Sequence, residues 1–301
     1  MKRISAVLLG SIMAIAAFAQ KNTSDNTLLW KISGNGLKKP SYLFGTIHML
    51  CKEDAVLSDS LKNIIKNVKE VYFEVDLDNM FEMLSVMSKM KMRGDTTLQD
   101  LLSETDYEKV KNYFETKGSM LPFSMLETYK PMLAASTLQQ GGLPCETTAM
   151  MEQEIMQEAK QYKKSIKGLE SMGYQASVLD SIPYKLQAEQ LVSYIDNAMK
   201  GGDEDKEFSE MMNAYKNQDL KKLEEMLMKS DPSISNYTDV LLYNRNRNWV
   251  EKLKELLPEK PLLIAVGAGH LPGKEGCINL LRNAGFKVTP VKNNTKRAVE
   301  I

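Results

Sequence analysis

Two short apolar runs, each broken by a glycine and followed by a histidine, constrain this chain more than any other feature. Residues 41–50 read SYLFGTIHML and place His48 three positions after Gly45. Residues 261–276 read PLLIAVGAGHLPGKEG and place His270 three positions after Gly267. An apolar run of this length, bounded by proline or glycine, is the pattern of a buried strand. The glycines let the backbone turn sharply where the strand ends. Each histidine is thereby delivered to the carboxyl edge of a sheet, where open α/β folds place ligands. The chain has only these two histidines, so they read as two related devices.

The elements around them follow from local pattern. Residues 28–33 and 42–45 predict a hairpin across Gly34, Asn35 and Gly36. Leu61, Ile64, Ile65 and Val68 recur at helical spacing over 58–68, with Ser58 or Asp59 as cap. The β-branched and aromatic stretch 70–76 predicts the next strand. Strand, helix and strand make a right-handed β-α-β unit with parallel strands. Side chains alternate along a strand, so Glu74 and Asp76 share a face. A short strand over 165–170 ends in Glu170. Residues 239–257 predict one long helix carrying a polar block, Arg245, Asn246, Arg247 and Asn248. A helix over 276–284 and a strand over 286–291 follow the second glycine–histidine unit. The fold class expected is α/β: a central mixed, partly parallel sheet formed from both ends of the chain, with a helical insertion over about 80–240.

Composition narrows the function. Lys+Arg and Asp+Glu both number 39, which gives no basic surplus for nucleic acid. The 20 methionines read as flexible core filler. At the N-terminus, Lys2 and Arg3 precede an apolar run from Ile4 to Phe18 that ends in Ala17-Phe18-Ala19. This predicts a signal peptide over residues 1–19, cleaved after Ala19, and a single domain over 20–301. The run is short for a spanning helix, so no membrane span is expected after cleavage. The protein is expected in the periplasm or secreted. Cys51, Cys145 and Cys277 then permit one disulfide and one free thiol, with the pairing open. Cys51 and Cys277 each follow a glycine–histidine unit and are candidates to meet.

His48, Glu74 and His270 together make a ligand set suited to a divalent metal such as Mn, Co or Zn. Three protein ligands leave positions for water, which a divalent metal converts to hydroxide near neutral pH. Glu170 is a candidate fourth ligand or general base, and Arg245 the candidate group for stabilising charge or clamping a carboxylate. Asp76 is a weaker candidate. The chain contains no GxSxG elbow, HExxH, P-loop or CxxC motif.

These pieces, in this order, resemble the TraB/GumN family, which is related to the Tiki metalloproteases. The resemblance lies in Leu43-Phe44-Gly45-Thr46-Ile47-His48, in Val71 to Asp76, in Gly168-Leu169-Glu170, in Arg245-Asn246 with Trp249, and in Val266 to Leu271 with Gly273. It implies an α/β fold with two pseudo-symmetric GxxH units. For its Tiki relatives it also implies metal-dependent peptide hydrolysis, with His48, Glu74 and His270 in the positions of the metal-site residues proposed there. Ser171 stands after Glu170 where many members carry Thr, and the nearest glutamine is Gln175.

The function expected is an exported metal-dependent hydrolase, a peptidase acting on a peptide or small-molecule substrate. The alternatives are a non-catalytic peptide-binding or inhibitory protein using the same cleft, and a metal-assisted esterase.

Overall fold

A computed structural model describes residues 26–117, 121–138, 143, 145–200, 204–229 and 236–295. The signal-peptide reading lies outside the described residues.

β1 (Leu29–Ser33) and β2 (Ser41–Thr46) form the hairpin, with Leu29 opposite Phe44. The helix Asp59–Asn67 follows, and Ser58 is its cap, accepting a hydrogen bond from the Leu61 N–H. The helix buries Leu61, Ile64 and Ile65. β4 (Glu70–Phe73) closes the β-α-β unit; β3 (Leu50–Cys51) pairs separately with β5 (Thr148–Ala149). β6 (Ser165–Gly168), β7 (Leu262–Gly267) and β8 (Lys287–Pro290) complete the main sheet.

The main sheet is six-stranded, in the order β6-β4-β7-β2-β1-β8. β7, from the far end of the chain, is inserted between β2 and β4 and runs parallel to both. β6, from the middle of the chain, is parallel to β4 at one edge. β1 is antiparallel to both β2 and β8. The sheet is therefore mixed, as the sequence predicts. Its four parallel members, β6, β4, β7 and β2, all end at the same edge.

β7 is central because it is apolar on both faces. Leu262 through Val266 are all buried, the signature of a strand covered on both sides. Each leucine, isoleucine or valine side chain among them contributes about 1.5–3 kcal/mol by burial. The close approach of β2 to the segment after β7 explains Gly45. A Cβ there would lie 3.1 Å from the Ala268 Cα.

The middle of the chain is largely helical. Leu98, Val110, Phe114, Leu126, Leu191 and Ile195 gather there in an apolar cluster separate from the one around the sheet. Lys130, only 1% exposed, lies within this helical part. Its Nζ donates to the Ala176 carbonyl at 2.6 Å and pairs with Asp180 Oδ1 at 2.9 Å. Buried charges of this kind persist only when paired.

Cys51 is bonded to Cys145, while Cys277 is a buried free thiol. Cys51 and Cys277 thus do not meet. Among the described residues, no helix is long and apolar enough to cross a membrane.

Candidate active site at the carboxyl edge of the sheet

Parallel strands that end together put their next residues side by side. β4 stops at Phe73, earlier than the expected residue 76, and Glu74 leaves its end. Glu170 leaves β6 beside it, and its N–H donates to the Glu74 carbonyl at 2.9 Å. β7 ends at Gly267 and turns through a 3-10 segment, Ala268–His270. β2 ends at Thr46, two residues before His48. One sheet edge therefore receives residues separated by more than 200 positions in sequence.

The helix Asn244–Leu256 lies across this edge. A π-helical turn, Asp239–Tyr243, precedes it where a continuous α-helix was expected; such turns recur at functional sites. Half of the polar block faces inward. Arg245 and Asn246 are buried, while Arg247 is exposed and pairs with Glu275.

Arg245 is the hub. Its Nη2 lies 2.6 Å from Glu74 Oε2 and 2.7 Å from Glu170 Oε1, and its Nε donates to Glu170 Oε1 at 3.0 Å. Nη1 donates to the Leu241 carbonyl at 2.9 Å and lies 3.3 Å from His270 Nε2. Trp249, one turn along, donates its indole N–H to Glu170 Oε2 at 2.9 Å. Charge-assisted bonds of this type are about twice as strong as neutral ones. Glu74 Oε1 accepts the Gly267 N–H at 2.9 Å, and Oε2 also accepts from Gln175 at 2.8 Å.

His270 is 5% exposed and stacks against Trp249 with ring centroids 4.5 Å apart. Its Nδ1 lies 2.6 Å from Asn246 Oδ1, and its Nε2 is 3.6 Å from Glu74 Oε1. Burial lowers the imidazole to about 4, so the ring is neutral at pH 7. Burial also works against a charged Glu74. The facing His270, the Arg245 guanidinium and the Gly267 N–H outweigh it and hold that carboxyl at about 2. For Glu170 burial prevails, and its carboxyl is raised although Arg245 and Trp249 pull it down.

His48 stands apart from this group. Its side chain is 67% exposed, and its Nδ1 lies 2.8 Å from Glu152 Oε1. The hydrogen bond to that carboxylate raises the imidazole to about 9. The Asp76 carboxylate accepts the Asp78 N–H at 3.1 Å in the turn after Glu74.

Glu152 is the residue that sequence reading passes over, while Asn246 is read within the polar block but given no role. Glu152 lies in the first turn of the helix Met151–Gln161 and is 4% exposed. Its signal was available: it sits at helical spacing with Ile155, Met156 and Ala159, a carboxylate inside an apolar stripe. The Cys51–Cys145 disulfide and the β3–β5 pair bind the start of this helix to the segment after His48.

The donor set fits a divalent metal in its chemistry. Glu74 and Glu170 share the Arg245 guanidinium, and the buried Glu152 carboxylate pairs with His48. The surplus of acceptors is visible in Glu152 Oε2, which is buried without a hydrogen-bond partner. His270, neutral and anchored through Nδ1, directs Nε2 toward Glu74. Among the described residues, no three His, Cys, Asp or Glu side chains converge on one point. In this packing Arg245 takes up Glu74 and His270, and Glu152 takes up His48.

Residues 28–290 match the TraB/PrgY/gumN family. The chain is 24% identical to metalloprotease TIKI1 of Xenopus tropicalis, over 89% of this chain and 62% of the relative. It is 23% identical to metalloprotease TIKI2 of Danio rerio (87% and 60%) and to human metalloprotease TIKI1 (87% and 61%). It thus spans about three-fifths of the length of the curated relatives it matches. No solved structure matches it.

Proposed function

The chain belongs to the TraB/PrgY/gumN family, and on that premise we propose that it is an exported, metal-dependent hydrolase that cleaves peptides. The observation that carries this reading is the cluster of Glu74, Glu170, Arg245 and His270 at one sheet edge, with His48 exposed after the end of β2 at the same edge. Likeness to relatives named as metalloproteases supports the same class of chemistry.

His48, Glu74 and His270 are the residues that would hold the metal, of the Mn, Co or Zn type. Once bound, such an ion polarises a carbonyl oxygen and lowers the pKa of a coordinated water. The chain's own groups do the rest. Glu170, whose proton affinity burial raises, takes a proton and returns it to the leaving amine. Arg245 compensates the charge on Glu74 and Glu170, and offers N–H groups to an oxyanion. Asn246 keeps His270 Nε2 free of its proton. His48 is the most exposed member of the set, so peptide enters from its side.

Metal content of the purified chain and of a His48→Ala/His270→Ala double variant tests the proposal, together with cleavage of a peptide panel before and after chelation. Wild type should carry metal and cleave peptide, and both properties should be lost in the variant. Equal metal content in the two proteins sinks it.

One observation favours a second reading, a protein that captures peptides without turnover. Arg245 already pairs both Glu74 and Glu170, which satisfies the carboxylates with no ion present. Saturable peptide binding with no cleavage in added Mn, Co or Zn would select it.

A further inference from the structure

The two histidines differ in exposure but are held in the same way. His270 Nδ1 lies 2.6 Å from Asn246 Oδ1, and His48 Nδ1 lies 2.8 Å from Glu152 Oε1. Both anchors sit in the first turn of a helix and both are buried, at 1% exposure for Asn246 and 4% for Glu152. Each is tied down a second time. Asn246 Nδ2 donates to the Glu275 carbonyl at 2.8 Å, and Glu152 Oε1 accepts from the Thr46 hydroxyl at 2.7 Å.

The chemistry of the anchors sets the protons. With its amide nitrogen committed to a carbonyl, Asn246 turns its oxygen to the ring, and that oxygen can only accept. The Glu152 carboxylate likewise accepts only. Both rings must therefore carry a proton on Nδ1, and Nε2 faces away from the anchor. Free histidine prefers the opposite neutral tautomer, with the proton on Nε2. An imidazole as exposed as His48 would also rotate freely without its carboxylate.

We propose that Glu152 and Asn246 are a matched pair of positioning residues, which keep the proton of the neutral His48 and His270 rings on Nδ1 and so leave Nε2, which in His270 lies 3.3 Å from Arg245 Nη1, as the nitrogen for a divalent cation. This rests on the metal-hydrolase reading for its ligand, although the positioning itself is a property of the metal-free chain. A hydrogen-bonded partner on the second ring nitrogen is what orients histidine ligands in metal sites, and its loss weakens metal binding about 10–100-fold.

The test is nitrogen-15 spectroscopy of the imidazoles in the metal-free, untagged chain, at a pH where both rings are neutral. Only two histidines contribute, and His48→Ala assigns them. Both should show the Nδ1–H tautomer. Glu152→Ala should return His48 to the Nε2–H form and leave His270 unchanged, while Glu152→Gln, which keeps an acceptor oxygen, should preserve the wild-type pattern. Zinc titration by calorimetry should show affinity reduced about 10–100-fold in Glu152→Ala and less in Glu152→Gln. An Nε2–H tautomer for His48 in wild type, or a spectrum unmoved by Glu152→Ala, overturns the inference. Wild type with the expected tautomers but no affinity for Mn, Co or Zn overturns the hydrolase reading and upholds the positioning.

Discussion

Arg245 sits on Glu74 with Nη2 2.6 Å from Oε2, although the two are 171 residues apart and their side chains are only 9% and 10% exposed. The same guanidinium reaches Glu170, so a single cation serves two buried carboxylates. Arg245→Met removes that cation and leaves both uncompensated. Breaking a buried pair from one side costs about 3–5 kcal/mol. Urea unfolding should show a loss of that size for Arg245→Met. Arg245→Lys should lose less, since it keeps the charge but not the fork.

Gly168 tests how tightly the strand ends must pack. A Cβ there would lie 2.6 Å from the Asp76 backbone nitrogen and 2.7 Å from the Glu170 carbonyl oxygen. Backbone cannot move aside as a flexible side chain can. Gly168→Ala should push the Glu170 segment off Glu74, at a cost of about 1–3 kcal/mol typical of overpacking. Peptide cleavage should fall more than stability does, because the displaced residues are those of the site. Unchanged stability and cleavage would contradict the packing described.

The Cys51–Cys145 bond spans 94 residues and closes the chain beside His48. Removing a bond over a loop of this size costs about 2–5 kcal/mol. A Cys51→Ser/Cys145→Ser variant, or wild type in reductant, should unfold at lower temperature. The His48–Glu152 contact should loosen with it, which the imidazole spectrum reads directly.

Acid should act on the helical part through Asp180. Burial pushes this carboxyl up, but bonds from Tyr184 and Lys130 outweigh it and hold its pKa below the ordinary value. A lowered folded-state pKa means stability that is present above the unfolded value, about 3.9, and is lost as pH falls through the folded one. Asp180→Asn should therefore cost stability at pH 7 and little at pH 2. Urea midpoints of both proteins at the two pH values decide it, and a cost independent of pH would refute the assignment.

Cys277 should be silent to thiol reagents. It is fully enclosed, and burial pushes its thiol up to about 12. Alkylation of the native chain should leave it unmodified, with reaction appearing only on unfolding.

Much of the fold was legible in advance. The β1–β2 hairpin, the Ser58-capped helix, and the strands that deliver Glu74, Glu170 and His270 all follow from periodicity, capping and turn residues. These are local properties. The extent of β4 and the π-helical turn before Arg245 were not legible, because the positions of Glu74 and Arg245 depend on what they reach across the sheet. Cysteine spacing likewise left the disulfide open, since pairing depends on which segments lie together.

The sequence by itself determined the two short strands that precede His48 and His270, since apolar runs and glycines act within a few residues. Only the tertiary structure decided the partners: Arg245 for Glu74, Asn246 for His270, Glu152 for His48, Cys145 for Cys51. Of these, all but Asn246 and His270 are separated by more than 90 residues. The reason is physical. Placing β7 between β2 and β4 sets every distance at that edge, and burial then requires each charge brought there to find a partner among whatever the packing supplies.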